Sequence, residues 1–338
     1  MDLKGKSILI TGGTGSLGQA LTKRIISKYG EVRRLIVFSR DEQKQFKMAQ
    51  EFPEKDFSFM RYFIGDVRDS DRLSVAFKDV DLVIHAAAMK HVHIAEYNPN
   101  ECIKTNVDGA KNVIAAAIEN KVNRVVALST DKACAPTNLY GATKLVSDKL
   151  FVAANNTKGN AEITFSVVRY GNVMGSNGSV IPFFLKKRND GTLPITHKDM
   201  TRFNIPIEEG VDMIFYALEN SWGGEIFVPK IPSYRIMDLA DAIGSKCEKK
   251  IIGIRPGEKI HEEMISESDS LNTYDLGDYY VILPSSPIWR IEDFLKKFGG
   301  TRVEQNFSYN SGQNDNWENA QTIRDKIKKH IDPDFSEQ

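Results

Sequence analysis

The 338-residue chain has no excess charge of either sign: 45 Lys+Arg balance 45 Asp+Glu. A general nucleic-acid binder would carry a basic excess, so none is expected as a partner. No apolar run approaches the roughly 18 residues that span a bilayer, so no membrane association is expected either. Cysteine is scarce. Cys102, Cys134 and Cys247 stand far apart with no CxxC pair. A reducing cytoplasm is expected, with neither a disulfide frame nor a cysteine-based metal site. Met1–Lys6 is short and polar and runs straight into an apolar stretch, leaving no room for a signal peptide. Linkers and repeats are also lacking, while 41% hydrophobic residues provide for a real core.

Short apolar runs alternate with amphipathic stretches in the first half. Strands are predicted at Ser7–Thr11, Arg34–Ser39, Arg61–Ile64, Leu82–Ala86, Arg124–Ser129 and Ile163–Arg169. Helices are predicted at Leu17–Tyr29, Gln43–Glu51, Ser70–Phe77, Asn106–Asn120 and from Tyr140 to about Asn155. Apolar strands alternating with helices give an α/β fold with a doubly wound, parallel, Rossmann-like sheet. Beyond Gly171, Gly, Pro and Asn become frequent and helices shorten. The expected organisation is a nucleotide-binding core over 1–170, a smaller interleaved substrate region over 171–300, and a polar tail over 301–338 with one helix, Ala320–His330.

The first strand leads into Thr11-Gly12-Gly13-Thr14-Gly15-Ser16-Leu17-Gly18. Gly12, Gly15 and Gly18 form GxxGxxG, a dinucleotide fingerprint placed between a strand and a helix. Gly12 allows a tight turn, Gly15 lets the backbone approach a pyrophosphate, and Gly18 lets the helix pack on the strand. Thr14, Ser16 and Leu17 complete that cofactor loop. The second strand ends Ser39-Arg40-Asp41, with Lys44 one helical turn on. A guanidinium at this spacing suits a 2′-phosphate, so NADP is read over NAD, the alternative being that Asp41 takes the ribose. Asp66, beside Val67, is placed at the adenine or else caps the Ser70 helix.

Tyr140-Gly141-Ala142-Thr143-Lys144 puts Tyr140 and Lys144 on one helical face. Lys144 can hold a ribose and lower the phenol pKa; Tyr140 can then exchange a proton with a hydroxyl while hydride moves to or from a nicotinamide. Ten residues upstream, Ser129-Thr130-Asp131-Lys132 ends a strand at the same sheet edge, bringing Thr130, Asp131 and Lys132 into the site. His91 and His93 stand two apart without suitable partners, so no metal is expected.

These residues resemble the extended short-chain dehydrogenase/reductase superfamily over nearly the whole chain. Ala86–Val92, Glu96–Pro99, Asn106, Ser129–Ala133, Tyr140–Lys144, Arg169–Val173 and Ile254–Glu263 are similar to the UDP-N-acetylglucosamine 4,6-dehydratase (5-inverting) family that starts pseudaminic acid synthesis. The distinguishing pair is Asp131-Lys132, since related glucose 4,6-dehydratases carry Asp-Glu and 4-epimerases carry neither acid-base partner. The resemblance implies that Tyr140 takes the C4 hydroxyl proton, Lys132 acts as a neutral amine on C5–H, and protonated Asp131 helps the C6 hydroxyl leave. Desolvation or nearby positive charge would supply the neutral amine. It further implies cofactor contacts at Ala86, Ala87, Ala88, Lys90, Asn106 and Val173. Substrate contacts fall at Lys90 and Asn172, with Arg255 on the diphosphate, and a homo-oligomer is expected. His93, Cys134, Ala135 and Asn204 depart from the family pattern near the site. The rival readings are a UDP-sugar dehydratase of other stereochemistry, a 4-epimerase and a non-catalytic NADP-binding module.

Overall fold

The computed structural model describes residues 1–176 and 178–336, so the last two residues of the tail read above lie outside the described residues. Six strands with five helices between them build the core of the first half. They are β1 (Ser7–Thr11), α1 (Ser16–Tyr29), β2 (Arg34–Ser39), α2 (Glu42–Glu51), β3 (Met60–Ile64), α3 (Ser70–Ala76), β4 (Leu82–His85), α4 (Gly109–Glu119), β5 (Arg124–Thr130), α5 (Leu139–Thr157) and β6 (Thr164–Tyr170). β1 (SILIT) and β2 (RLIVFS) are almost wholly buried, as strands covered by helices on both faces must be.

The strands β7 (Asn172–Val173), β8 (Thr201–Ile205), β9 (Ile226–Pro229), β10 (Thr273–Asp275), β11 (Tyr279–Ile282) and β12 (Thr301–Arg302) follow. The main sheet has the order β12-β10-β11-β9-β6-β5-β4-β1-β2-β3. The β1, β2, β3, β4, β5, β6 and β9 pairings are parallel, and β10, β11 and β12 extend the sheet antiparallel. The run 3-2-1-4-5-6 reverses between β1 and β4, which opens a crevice at the strands' carboxyl ends. A second small sheet pairs β7 with β8 and β8 with Ser233–Arg235.

Two differences from the sequence reading bear on the site. The helix expected from Asn106 begins at Gly109; Lys104–Asp108 form a wide π-type turn ahead of it. That turn directs Asn106 inward, where it accepts from Met89 N at 2.8 Å and donates to Met89 O and Thr143 Oγ1 at 3.0 Å each. The tail is also built into the fold. Ile323 and Ile327 of the helix Ala320–His330 pack with Leu239 and Ile243 in a second apolar cluster, and the Tyr309 hydroxyl bonds the backbone of Ile231.

One charged side chain ties the two parts of the chain together. Arg169, at the end of β6, is 2% exposed. It donates to Asp148 of α5 at 3.2 Å and to Met264 O at 2.9 Å, and it lies 3.5 Å from Asp269.

Candidate active site

A cavity of about 1000 Å³ lies along the crevice. Seven basic side chains line it against four acidic ones, although the chain as a whole is neutral. A long, basic cleft suits a ligand with several phosphates.

At one end the fingerprint loop forms the wall. Gly12 holds φ +66, and a Cβ there would meet Ala87 Cα at 2.9 Å. A Cβ on Gly18 would lie 2.4 Å from Gly13 O. Both glycines are therefore required by close backbone approach. No side chain caps α1, so its first N–H groups remain available to an anion. These features fit a dinucleotide: Gly12, Thr14, Gly15, Ser16, Leu17 and Gly18 line the cavity, followed by Ser39, Arg40, Lys44, Asp66, Val67 and Ala86–Ala88. Thr14 Oγ1 and Ser39 Oγ are hydrogen-bonded at 2.8 Å.

Two acidic residues at this end are engaged with neighbours. Asp41 is already engaged: it accepts from Lys44 N at 3.0 Å as the N-cap of α2, and Lys44 Nζ lies 3.3 Å away. Asp66 does not cap the Ser70 helix, because Asp69 does, accepting from Arg72 N. Asp66 instead pairs with Arg68 at 2.7 Å and Arg40 at 3.5 Å. Burial works against its charge, but the Arg68 bonds outweigh it and hold the Asp66 pKa below the usual value.

The chemical end is built on the termini of β5, α5 and β6. Asn138 caps α5 by accepting from Gly141 N at 2.8 Å. Gly141 is needed because a Cβ there would lie 2.1 Å from Lys132 O, so the helix rests directly on the turn carrying Lys132. Gly141→Ala is expected to destabilise the fold by about 1–2 kcal/mol: overpacking costs about 1–3 kcal/mol and alanine's helix propensity returns up to about 1. An unfolding free energy from urea titration lowered by that amount is the check.

Tyr140 and Lys144 share a face and line the cavity. Burial pushes the Tyr140 phenol up to about 12, against the opposing Lys132 charge and a hydrogen bond with Thr130. The expected lowering by Lys144 is not what the pocket provides. Lys144 is 4% exposed, and burial lowers its own pKa against the pull of Asp148.

Asp131, Lys132 and Thr130 form one hydrogen-bonded group. Thr130 Oγ1 donates to Asp131 Oδ1 at 3.0 Å, and Lys132 Nζ donates to the same oxygen at 2.9 Å. Lys132 Nζ also lies 3.4 Å from Asn172 Oδ1 and 3.3 Å from Glu262 Oε1. Two expectations change here. Asp131 is fully buried and does not line the cavity; Lys132 and Thr130 cover it, and its Oδ2 has no hydrogen-bond partner. The amine is also not neutralised by its surroundings. Burial disfavours its charge, but Asp131 and Glu262 outweigh burial and hold the Lys132 pKa above the usual value.

Lys90, Asn172, Val173 and Arg255 line the far part of the cavity. Arg255 is exposed and lies 3.7 Å from Glu258. Burial lowers the Lys90 pKa. Asn106 does not line the cavity; it braces the wall from behind through Met89, and Thr105 faces inward instead. Arg202 and Glu262 line the cavity as well. Glu262 falls within the family-like segment Ile254–Glu263, whereas no motif named above contains Arg202.

The family departures are accommodated locally. Cys134 is buried near Glu263 and Asp269, and burial pushes its thiol up to about 12, which makes it inert. Ala135 holds φ 42, a left-handed conformation that asparagine tolerates better. Asn204 of β8 faces Asn172 across the strand pair and donates to buried Glu318 at 2.7 Å.

A 3-2-1-4-5-6 sheet with a glycine fingerprint after β1 and a Tyr140–Lys144 pair on α5 defines the short-chain dehydrogenase/reductase architecture. Within it, the chain belongs to the polysaccharide biosynthesis protein family, whose model matches residues 8–284. It is 56% identical over 329 residues to the UDP-N-acetylglucosamine 4,6-dehydratase (inverting) of Campylobacter jejuni subsp. jejuni, covering 96% of this chain and 97% of that one. It is 43% identical over 286 residues to a UDP-glucose 4-epimerase of Rickettsia canadensis, covering 82% of each. Among solved structures, Pen from Bacillus thuringiensis superposes with a TM-score of 0.87 at 36% identity, covering 97% of this chain and 98% of that one. The dTDP-glucose 4,6-dehydratase DesIV of Streptomyces venezuelae shares the fold, with a TM-score of 0.68 at 21% identity over 86% of this chain and 95% of that one. Among the described residues, no helix is long and apolar enough to cross a membrane.

Proposed function

We propose that the protein is a UDP-N-acetylglucosamine 4,6-dehydratase that inverts C5, forming UDP-2-acetamido-2,6-dideoxy-β-L-arabino-hex-4-ulose. The observation that carries this reading is Lys132 on the cavity wall, hydrogen-bonded to Asp131 and adjoining Tyr140 through Thr130. The 56% identity to an enzyme of that name supports it.

Residues 1–170 hold the dinucleotide and residues 171–300 shape the sugar-nucleotide end. The dinucleotide, when bound, supplies a two-electron acceptor that is reduced and reoxidised within one turnover, so there is no net redox change. Tyr140 takes the C4 hydroxyl proton, and Lys144 holds the ribose. The resulting 4-keto group acidifies C5–H, and Lys132, once neutral, removes that proton. Asp131 lies behind Lys132, so its proton reaches the departing C6 hydroxyl through Thr130, which does line the cavity. The hydrogen that left C4 as hydride ends on C6, and C5 takes a solvent-derived proton on the opposite face.

NADP is the preferred dinucleotide. Arg40 lines the fingerprint end and Asp41 is committed to its helix cap. Arg40→Ala should weaken NADP(H) by about 1.5–3 kcal/mol, the loss of a charge-assisted contact, and change NAD(H) little. Titration of both cofactors checks this; equal affinity in the unmodified protein would exclude it.

A homo-oligomer in the cytoplasm belongs to the same reading. Exposed Tyr97, Ile103 and Val146 on neighbouring helices offer an apolar surface to a second copy. The 43% identity to 4-epimerases favours a second reading, in which C4 alone changes. That reading leaves the Asp131–Lys132 pair without a task. Incubation with UDP-N-acetylglucosamine followed by mass spectrometry separates the two: loss of one water is dehydration, unchanged mass is epimerisation.

A further inference from the structure

Glu262 has no part in the steps above, yet it is 3% exposed on the cavity wall. A carboxylate so buried is costly unless it is paired. Its Oε1 lies 3.3 Å from Lys132 Nζ and 3.7 Å from Arg202 Nε, and its Oε2 has no hydrogen-bond partner. Asp131 Oδ1 accepts from the same amine at 2.9 Å, and Asp131 Oδ2 is likewise unpartnered. One amine therefore sits between two buried carboxylates, with one guanidinium behind the second.

Fully ionised, these four groups sum to zero charge. Breaking one Nζ–H bond of Lys132 while an O–H bond forms on Asp131 leaves the sum at zero. The product of that transfer is a neutral amine, a neutral acid, and Glu262 paired with Arg202. Elimination needs that arrangement: a base lacking a proton beside an acid holding one. No proton has to come from solvent to reach it.

The two carboxylates differ in their surroundings. Burial raises the Asp131 pKa; Lys132 opposes this, and the Glu262 charge adds to it. Burial also disfavours the Glu262 charge, but Lys132, Arg202 and Lys259 outweigh it and hold the Glu262 pKa below the usual value. Environments that push paired carboxylates apart sort them into separate roles.

We infer that Glu262 is a positioning residue, a fixed anion paired with Arg202 that places the proton shared by Lys132 and Asp131 on Asp131 rather than on itself. The inference rests on the dehydratase reading. The charged and titratable groups facing the cluster are Arg202 from β8, Lys259 and His261 from the segment leading to Glu262, Tyr140 from α5 and Tyr234 from the strand beside β8.

The test is the pH profile of kcat for the wild type, Glu262→Gln, Glu262→Asp and Arg202→Gln, with NADP(H) affinity measured on each as a check of folding. Glu262→Gln removes an anion that raises both Lys132 and Asp131, so both limbs of the bell should move to lower pH by about one unit. Glu262→Asp keeps the anion and should return the limbs to the wild-type positions. Arg202→Gln removes a cation that lowers both groups and should move the limbs to higher pH. If Glu262→Gln does not fold, Arg202→Gln alone decides. A wild type that dehydrates while the folded variants superpose on its profile overturns the inference alone. A wild type that forms no 4-keto-6-deoxy sugar overturns the dehydratase reading and the inference with it.

Discussion

Lys132→Ala should abolish dehydration of UDP-N-acetylglucosamine while NADP(H) still binds. The amine is 23% exposed and reaches the cavity at the sugar end, away from the fingerprint loop. Its loss removes the group placed to take the C5 proton, and it leaves Asp131 and Glu262 buried without their shared cation. Removing one partner of a buried pair costs about 3–5 kcal/mol, so some loss of stability accompanies the loss of activity. A melting curve with and without NADP separates the two effects: a folded, cofactor-stabilised variant with no product is the expected result. The wild-type reaction in D₂O should place deuterium at C5 of an L-arabino product, with C6 receiving the hydrogen that began at C4. A D-xylo product from fresh enzyme, read by NMR, would reverse the assignment and favour retention.

Tyr140→Phe should lower turnover by roughly 10²–10⁴, the usual worth of a positioned acid–base group. The ring packs beside Ala95 and Cys102, and phenylalanine preserves that contact. Stability and cofactor affinity should therefore change little. Because burial holds the phenol near 12, the unmodified enzyme should gain activity with rising pH wherever this proton transfer limits the rate. The variant should lose that dependence. Turnover within tenfold of wild type would exclude Tyr140 as the proton carrier.

The parallel half of the fold was legible because its signals are local. β1, β2 and the helix Ala320–His330 match their predicted bounds, since each is a continuous apolar or amphipathic stretch. The strands β10 (TYD) and β12 (TR) were not legible: they are short and polar, β10 owing its pairing to β11 and β12 to β10. The π-type turn at Lys104–Asp108 was missed because it continues a helical pattern and differs only in its hydrogen bonding. In the site, Tyr140, Lys144 and Lys132 followed from spacing and strand ends. Asp131 and Lys132 fall not in β5 but in a 3₁₀ turn, Asp131–Ala133, just after it, so the strand pattern could not say which of the two meets the cavity. Arg202 and Glu262 come from distant segments that only tertiary packing joins to Lys132. The one clue was the place of Glu262 within the family-like segment Ile254–Glu263.

Arg169 has a consequence for how the molecule holds together. Its guanidinium bonds Asp148 from the first half and Met264 O from the second, with Asp269 3.5 Å away. A chain folded only as far as β6 would strand this charge among apolar strands without half its partners. A partly folded intermediate of that kind is therefore penalised, and a single cooperative transition is the expected result of a urea denaturation curve. The segments that grip the sugar are also part of what keeps the nucleotide end folded. Grafting a new substrate region onto this core would have to carry an acceptor for Arg169 with it.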